Sequence, residues 1–504
     1  MADRDEVSRL LLNAQTLGTL PAAVHAPGYE RGQVTVGIVH IGVGGFHRSH
    51  QAVYLDDLMN AGLAPDWGIC GVGVLAQDRV MRDVMRDQDC LYTVVTKAAD
   101  RREYRVVGSI VEYLFAPDDP EAVIERMADP AVRVVSLTIT EGGYHIDPVS
   151  GDFTASDPAV QRDLRPDAAP ATVFGLVTEA LVRRRRRHVA PFAVVSCDNI
   201  ESNGDVARRS FCGFAAMRDP LLGQWMADDV QFPNSMVDRI TPATTAADRA
   251  ELAAAVGLAD QWPVVCEPFR QWVVEDGFGG ARPPLESAGV QVVEDVRPYE
   301  LMKLRLLNAS HQALAYFGFL AGYRFVHEPF GNPVFAKFLR AYMRDEAALS
   351  LSPVPGVDLV AYQATLLERF ANPAVRDTIE RLCAYTSDRI PKFLLPVAQH
   401  NVSSGGPVRL TAAVVASWAR YAQGVDDAGR PIDVVDSRRE VLQAAAAEER
   451  EAPGAFLAVP GIFGSLRADE RFKAAYLDAL ELLRTRGSLG TLGALTSDVE
   501  KARR

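Results

Sequence analysis

From Val34 to Ile41 the chain reads Val-Thr-Val-Gly-Ile-Val-His-Ile, and it passes at once into Gly42-Val-Gly-Gly-Phe-His-Arg-Ser-His50. A short β-branched run closed by glycines is a buried strand ending in a tight turn, and a helical segment through Met59 follows it. Strand, glycine turn and helix is the order that gathers backbone N–H groups and a positive helix end at one point, where a pyrophosphate is held. On that reading Gly42, Gly44, Gly45 and Phe46 belong to a dinucleotide site. The GxGxxG spacing would put a third glycine where His47 stands, so an ordinary tight turn is the competing reading.

The same alternation continues down the chain. Trp67–Val74 reads as a second strand and ends near Gln77-Asp78-Arg79. An acidic residue at the end of the second strand is placed to hold the adenosine ribose hydroxyls, so Asp78 and its neighbour Arg79 join the candidate set. Asp78 lies 36 residues past Gly42, against the usual spacing of about 20, so the first crossover must be long; capping of the helix Arg79–Asp87 is the alternative role. Strands over Val132–Thr138 and Phe192–Ser196 end in Ile139-Thr-Glu-Gly-Gly-Tyr144 and Cys197-Asp-Asn199, with helices at Glu121–Met127 and Val173–Arg186 between. β/α alternation predicts a doubly wound parallel sheet whose ligands bind beyond the strands' carboxyl ends, where Glu141 and Asn199 stand. A helical pair and the turn-rich segment Phe232–Pro242 come next, in which Asp238 and Arg239 form either a local ion pair or part of a site.

A chain of 504 residues exceeds one compact core and divides into two domains of roughly 200 to 300 residues. The expected division is a Rossmann-like dinucleotide-binding domain over residues 1–285, after an irregular lead-in over residues 1–33, and a mainly α-helical domain over residues 286–504. A net charge of −12 with 48% hydrophobic residues describes an acidic globular protein and argues against nucleic acid or anionic membrane as partner. The basic run Arg183–Arg187 reads as a solvated helix end. The polar N-terminus and the absence of an apolar run of about 18 residues predict a cytoplasmic protein. Six scattered cysteines without CxxC or HExxH pairing suit reduced, buried thiols and no protein-bound metal.

In the helical half one stretch stands apart, Pro298-Tyr-Glu-Leu-Met-Lys-Leu-Arg-Leu-Leu-Asn-Ala-Ser-His-Gln-Ala-Leu-Ala-Tyr316. At about 100° per residue, with Lys303 at zero, Glu300 falls near 60°, His311 near 80° and Asn308 near 140°. Lysine, carboxylate, amide and imidazole thus share one face of an otherwise apolar helix. Such a set can hold a small hydroxylated molecule and move its proton; a solvated polar stripe is the alternative, which the surrounding leucines disfavour.

Taken together, Gly42–Arg48, Ser136–Gly143, Ser196–Asn199, Phe232–Arg239 and the spacing of Lys303, Asn308 and His311 resemble the polyol-specific long-chain dehydrogenases and reductases, from about Val36 to the C-terminal helices. The resemblance implies a monomer that uses NAD and no zinc to interconvert a secondary alcohol and a ketone. Its small-molecule partner would be a polyol or ketose: D-mannitol and D-fructose, with D-arabinitol or a fructuronate/mannonate pair as alternatives. It makes Lys303 the general base, Asn199 and Asn308 the ligands of the alkoxide and carbonyl oxygen, and His311, Asp238, Arg381 and a basic residue at 389 the polyol contacts. The last is Arg389 here, and Lys392 three residues on competes with it. Glu300, one turn before Lys303, is either a proton relay or an ordinary i,i+3 partner.

Overall fold

The computed structural model describes residues 10–147, 150–165, 167–280 and 282–502, so residues 1–9 of the lead-in and Ala281 lie outside it. The chain divides into two compact units, Met1–Val296 and Arg297–Arg504.

The N-terminal unit is built on five parallel strands, β1 (Val36–Ile41), β2 (Gly68–Gly73), β3 (Ile110–Phe115), β4 (Val134–Leu137) and β5 (Ala193–Ser196), in the order β3-β2-β1-β4-β5. This is the doubly wound order, with its reversal between β1 and β4. Both faces of the sheet are covered. Ile38, Ile69, Val134 and Val195 pack with Val53, Leu55 and Leu58 on one side, while Val39, Val72, Val135 and Val194 pack with Ile124, Leu176 and Phe211 on the other. Neighbouring strand residues point to opposite faces, so near-continuous apolar runs are what such a sheet requires. Each Val, Ile or Leu side chain so buried stabilises by about 1.5–3 kcal/mol.

Helix bounds follow local signals. Asp119 accepts from the Ala122 N–H ahead of Pro120–Ala128, and Thr172 accepts from the Gly175 N–H ahead of Val173–Arg186. The segment after the glycine turn is two helices, Gly45–Ser49 and Gln51–Asn60, broken at His50. Several elements differ from the sequence reading. The lead-in contains the short strands Leu10–Leu11 and Val24–His25. An antiparallel pair, Tyr92–Lys97 with Arg102–Val107, precedes β3, and the turn-rich segment after Phe232 contains a buried strand, Ser235–Asp238, paired with Gln271–Glu275. The basic run is not all solvated: Arg184 is 3% exposed, and its guanidinium donates to the carbonyls of Met127, Asp129, Val132 and Ala190. Five of the six cysteines are buried, and all six are free thiols.

The C-terminal unit is helical. Its centre is Ala309–Leu320, buried at every position but Phe319, with Ile379–Cys383 and Arg409–Ala422 packed against it. The last helix, Glu470–Ala502, bends at Gly487 (φ 63°), where Asp427 accepts the Ser488 N–H at 2.7 Å. Two short helices, Thr386–Phe393 and Leu395–Ser404, follow each other closely, with Pro391 inside the first and Pro396 in the first turn of the second, where proline is tolerated. No helix among the described residues is long and apolar enough to cross a membrane.

Candidate active site

Each unit carries one set of the polar groups singled out above. In the N-terminal unit the sheet's reversal point brings Gly42 against Thr138. Gly42 has φ +94°, and a Cβ there would run into the Thr138 carbonyl, so this close approach requires glycine. Thr138 Oγ1 donates to the Gly42 carbonyl at 2.6 Å, with the His40 ring 3.0 Å from the same hydroxyl. Gly44 is exposed, and a Cβ built on it or on Gly45 would meet nothing within 3.5 Å. The backbone at the start of Gly45–Ser49 is thus bare, as a pyrophosphate needs.

At the missing third glycine, His47 lies flat on His40, ring centroids 3.4 Å apart. Burial pushes both imidazoles far down, His40 to about 3, so the pair stays neutral. Phe46 stacks on His50 at 4.8 Å.

Asp78 sits in a short turn after β2. Its Oδ2 accepts the Val74 and Leu75 N–H groups, both at 2.9 Å, which leaves Oδ1 for a ribose. The carboxylate makes no capping bond to the helix Arg79–Asp87, so the capping alternative is replaced by a tie back to the strand end. Arg79 is exposed, 3.7 Å from Asp118 and 5.6 Å over the Phe115 ring. Leu75 and Val80 expose apolar surface beside them. These features fit a dinucleotide: an open glycine turn, a carboxylate with a spare oxygen, and apolar surface for a base.

Glu141 opens the turn after β4 and is exposed; Asn199 is exposed just after β5. Asp238 is buried at the end of its strand, and the adjacent Arg239 donates to the backbone carbonyls of Glu267 and Ser49.

In the C-terminal unit, Glu300, Lys303 and His311 are 6–7% exposed and Asn308 is half-buried. The helix that carries them is not regular. Lys303–Asn308 is a π-helical turn between Arg297–Met302 and Ala309–Leu320, with the Ala309 N–H donating to the Leu304 carbonyl five residues back. The α-helical reading left Asn308 about 140° from Lys303. An i→i+5 turn holds more residues per revolution, so it swings Asn308 round toward Lys303. Asn308 Oδ1 is buried without a hydrogen-bond partner among the described residues, as suits an amide whose partner is a ligand. His311 packs against Phe370, centroids 4.6 Å apart. Arg381 is held by Asp377 through bonds of 2.8 and 2.6 Å. Arg389 donates to the Arg381 carbonyl at 3.0 Å, and Lys392 is exposed. Among the described residues no group of three or more His, Cys, Asp or Glu side chains is placed to hold a metal.

The mannitol dehydrogenase Rossmann domain matches residues 36–287, and the mannitol dehydrogenase C-terminal domain matches residues 295–484. The chain belongs to the mannitol dehydrogenase family. A mannitol 2-dehydrogenase of Aspergillus fumigatus is 46% identical over 494 residues, covering 96% of this chain and 98% of its own. Among solved structures, the family likeness extends to Pseudomonas fluorescens mannitol 2-dehydrogenase in ternary complex with NAD and D-mannitol, with 45% identity and a TM-score of 0.87 over 97% of this chain and all of that one. A substrate-free D-sorbitol dehydrogenase is 36% identical with a TM-score of 0.88, over 95% of this chain and all of its own.

Two features carry no local sequence signal: the π turn, and the turn at Ile139–Tyr144, whose Ile139 and Thr140 N–H groups donate to Asp198 in a distant segment.

Proposed function

We propose that this chain is an NAD-dependent polyol dehydrogenase that interconverts D-mannitol and D-fructose, without a metal and with Lys303 as general base. The observation that carries the reading is the row of buried Glu300, Lys303 and His311 with half-buried Asn308 about a π turn, in a chain similar to mannitol 2-dehydrogenases over nearly its whole length. The Gly42–Phe46 turn, Asp78, Arg79 and Glu141 hold the cofactor in the N-terminal unit, and NAD, when bound, supplies the hydride acceptor.

The chain's own residues manage the proton and the oxygen. Lys303, neutral, takes the hydroxyl proton. Its reference pKa of about 10.4 must be lowered for this, and burial works in that direction. Asn308 and Asn199 donate amide hydrogens to the oxygen as it gains negative charge. Glu300, one turn earlier, passes the proton outward. His311, Asp238, Arg381 and Arg389 hold the remaining hydroxyls, with Lys392 left as the outer alternative.

A substrate panel tests the reading. NADH formation would be followed with D-mannitol, D-sorbitol, D-arabinitol and D-mannonate, and NADH loss with D-fructose and D-fructuronate. D-Mannitol should give the highest kcat/KM. A preference for the uronate pair would replace the polyol assignment, and NADH binding with no turnover on any of them would make the protein a dinucleotide sensor.

A further inference from the structure

The turn after β4 holds a backbone conformation suited to glycine, yet the residue there is a threonine. Thr140 has φ +66° and ψ +166°, a region that side chains other than glycine's avoid and that persists only where surrounding structure imposes it. What imposes it is a carboxylate 58 residues away. Asp198 Oδ1 accepts the Thr140 N–H at 2.8 Å, and its Oδ2 accepts the Ile139 N–H at 3.0 Å and the Tyr144 hydroxyl at 2.7 Å.

Asp198 is itself fixed. It is 8% exposed; its N–H donates to Ser196 Oγ at 3.3 Å, and its carbonyl accepts Asn203 Nδ2 at 3.1 Å. Asn203 in turn is paired both ways with the Ser235 backbone, at 2.8 Å in each direction. One buried carboxylate therefore ties the end of β4 to the end of β5. The residue after Thr140 is Glu141, and the residue after Asp198 is Asn199.

We propose that Asp198 is a positioning residue: by holding Thr140 in its strained conformation it sets Glu141 and Asn199 at the two strand ends for cofactor and substrate oxygen. The inference rests on the roles given to those two residues above. A carboxylate is required because three donors converge on it. An amide offers one acceptor oxygen and turns N–H groups toward a donor, so Asp198→Asn must lose at least one of the three bonds.

The test uses the full chain with Asp198→Asn, Tyr144→Phe and Thr140→Gly. Melting temperature, NADH affinity by fluorescence titration, and kcat and KM for polyol oxidation are measured for each. Asp198→Asn should lower kcat more than about 10-fold and weaken NADH several-fold at a temperature where its melting curve shows it folded. Tyr144→Phe, which removes one donor and keeps the carboxylate, should move both in the same direction by less. Thr140→Gly should keep the melting temperature or raise it, because glycine adopts this conformation freely. Folded Asp198→Asn with kcat and NADH affinity within about two-fold of wild type would overturn the proposal. Should Asp198→Asn not fold, unchanged kcat and NADH affinity in Tyr144→Phe would overturn it instead. If the wild type oxidises no polyol, the function assigned above fails, while the NADH titration still reports on Asp198.

Discussion

Replacing Asp78 by alanine should lower stability and change cofactor choice together, because the carboxylate has two tasks. Its Oδ2 accepts two backbone N–H groups at 2.9 Å. Hydrogen bonds to a charged acceptor contribute about 1.5–3 kcal/mol each; these share one oxygen at a half-exposed position, so about 1–3 kcal/mol in total is the fair figure. In a unit of this size that lowers the melting temperature by roughly 2–10 °C. The free Oδ1 would accept ribose hydroxyls from NAD, worth at least about 1 kcal/mol. The same charge would repel a 2′-phosphate about 4 Å away by about 1–4 kcal/mol. Even the low ends, about 2 kcal/mol together, shift the NADP/NAD ratio of kcat/KM by about 30-fold. Asp78→Asn keeps an acceptor for the backbone and removes the charge, so it should show much of the cofactor shift with a smaller loss of melting temperature. The assay is kcat/KM for both cofactors beside a thermal melt of each variant. A lower melting temperature with an unchanged cofactor ratio would refute the ribose contact and leave Asp78 as a tie for the strand end.

Lys303→Ala should reduce polyol oxidation by about 10²- to 10⁴-fold and leave NADH binding nearly unchanged; near-normal turnover at neutral pH would remove Lys303 as the base. Wild-type oxidation should rise with pH until Lys303 is neutral, while ketone reduction falls over the same range. Activity should survive EDTA, and a loss that zinc restores would point to a metal site. Acid should destabilise the N-terminal unit: burial lowers His40 and His50 to about 3, so between pH 6.5 and 3 the unfolded chain binds more protons than the native one. Their contribution is complete above pH 6.5 and is lost as pH falls toward 3, by up to about 1.4 kcal/mol per imidazole per pH unit. Urea midpoints at pH 7 and pH 5 measure this; His40→Gln should flatten the dependence, and a flat wild-type curve would mean that the rings titrate normally.

Sequence by itself determined the elements whose signals are local. The strand–glycine–helix order at Val36–Asn60, the helices Arg79–Asp87 and Val173–Arg186, and the helical character of the second half all follow from periodicity, caps and β-branched runs. It also placed Lys303, Asn308 and His311 on one helix, because spacing along a helix is a local property. Tertiary structure decided what depends on partners distant in the chain. Ser235–Asp238 is a strand because Gln271–Glu275 comes to lie beside it, although Pro233 and Asn234 signal a turn. Arg184 is buried because four carbonyls converge on it, where its neighbours in the basic run suggested solvent. Thr140 keeps a glycine-like conformation because Asp198, in another segment, receives its N–H. Even the π turn answers to packing, since Lys303–Asn308 contains no residue that forbids an α-helix. Local sterics choose among a few backbone states within a few residues, whereas a buried polar group must find its partner wherever folding brings one, and that pairing leaves no trace in spacing.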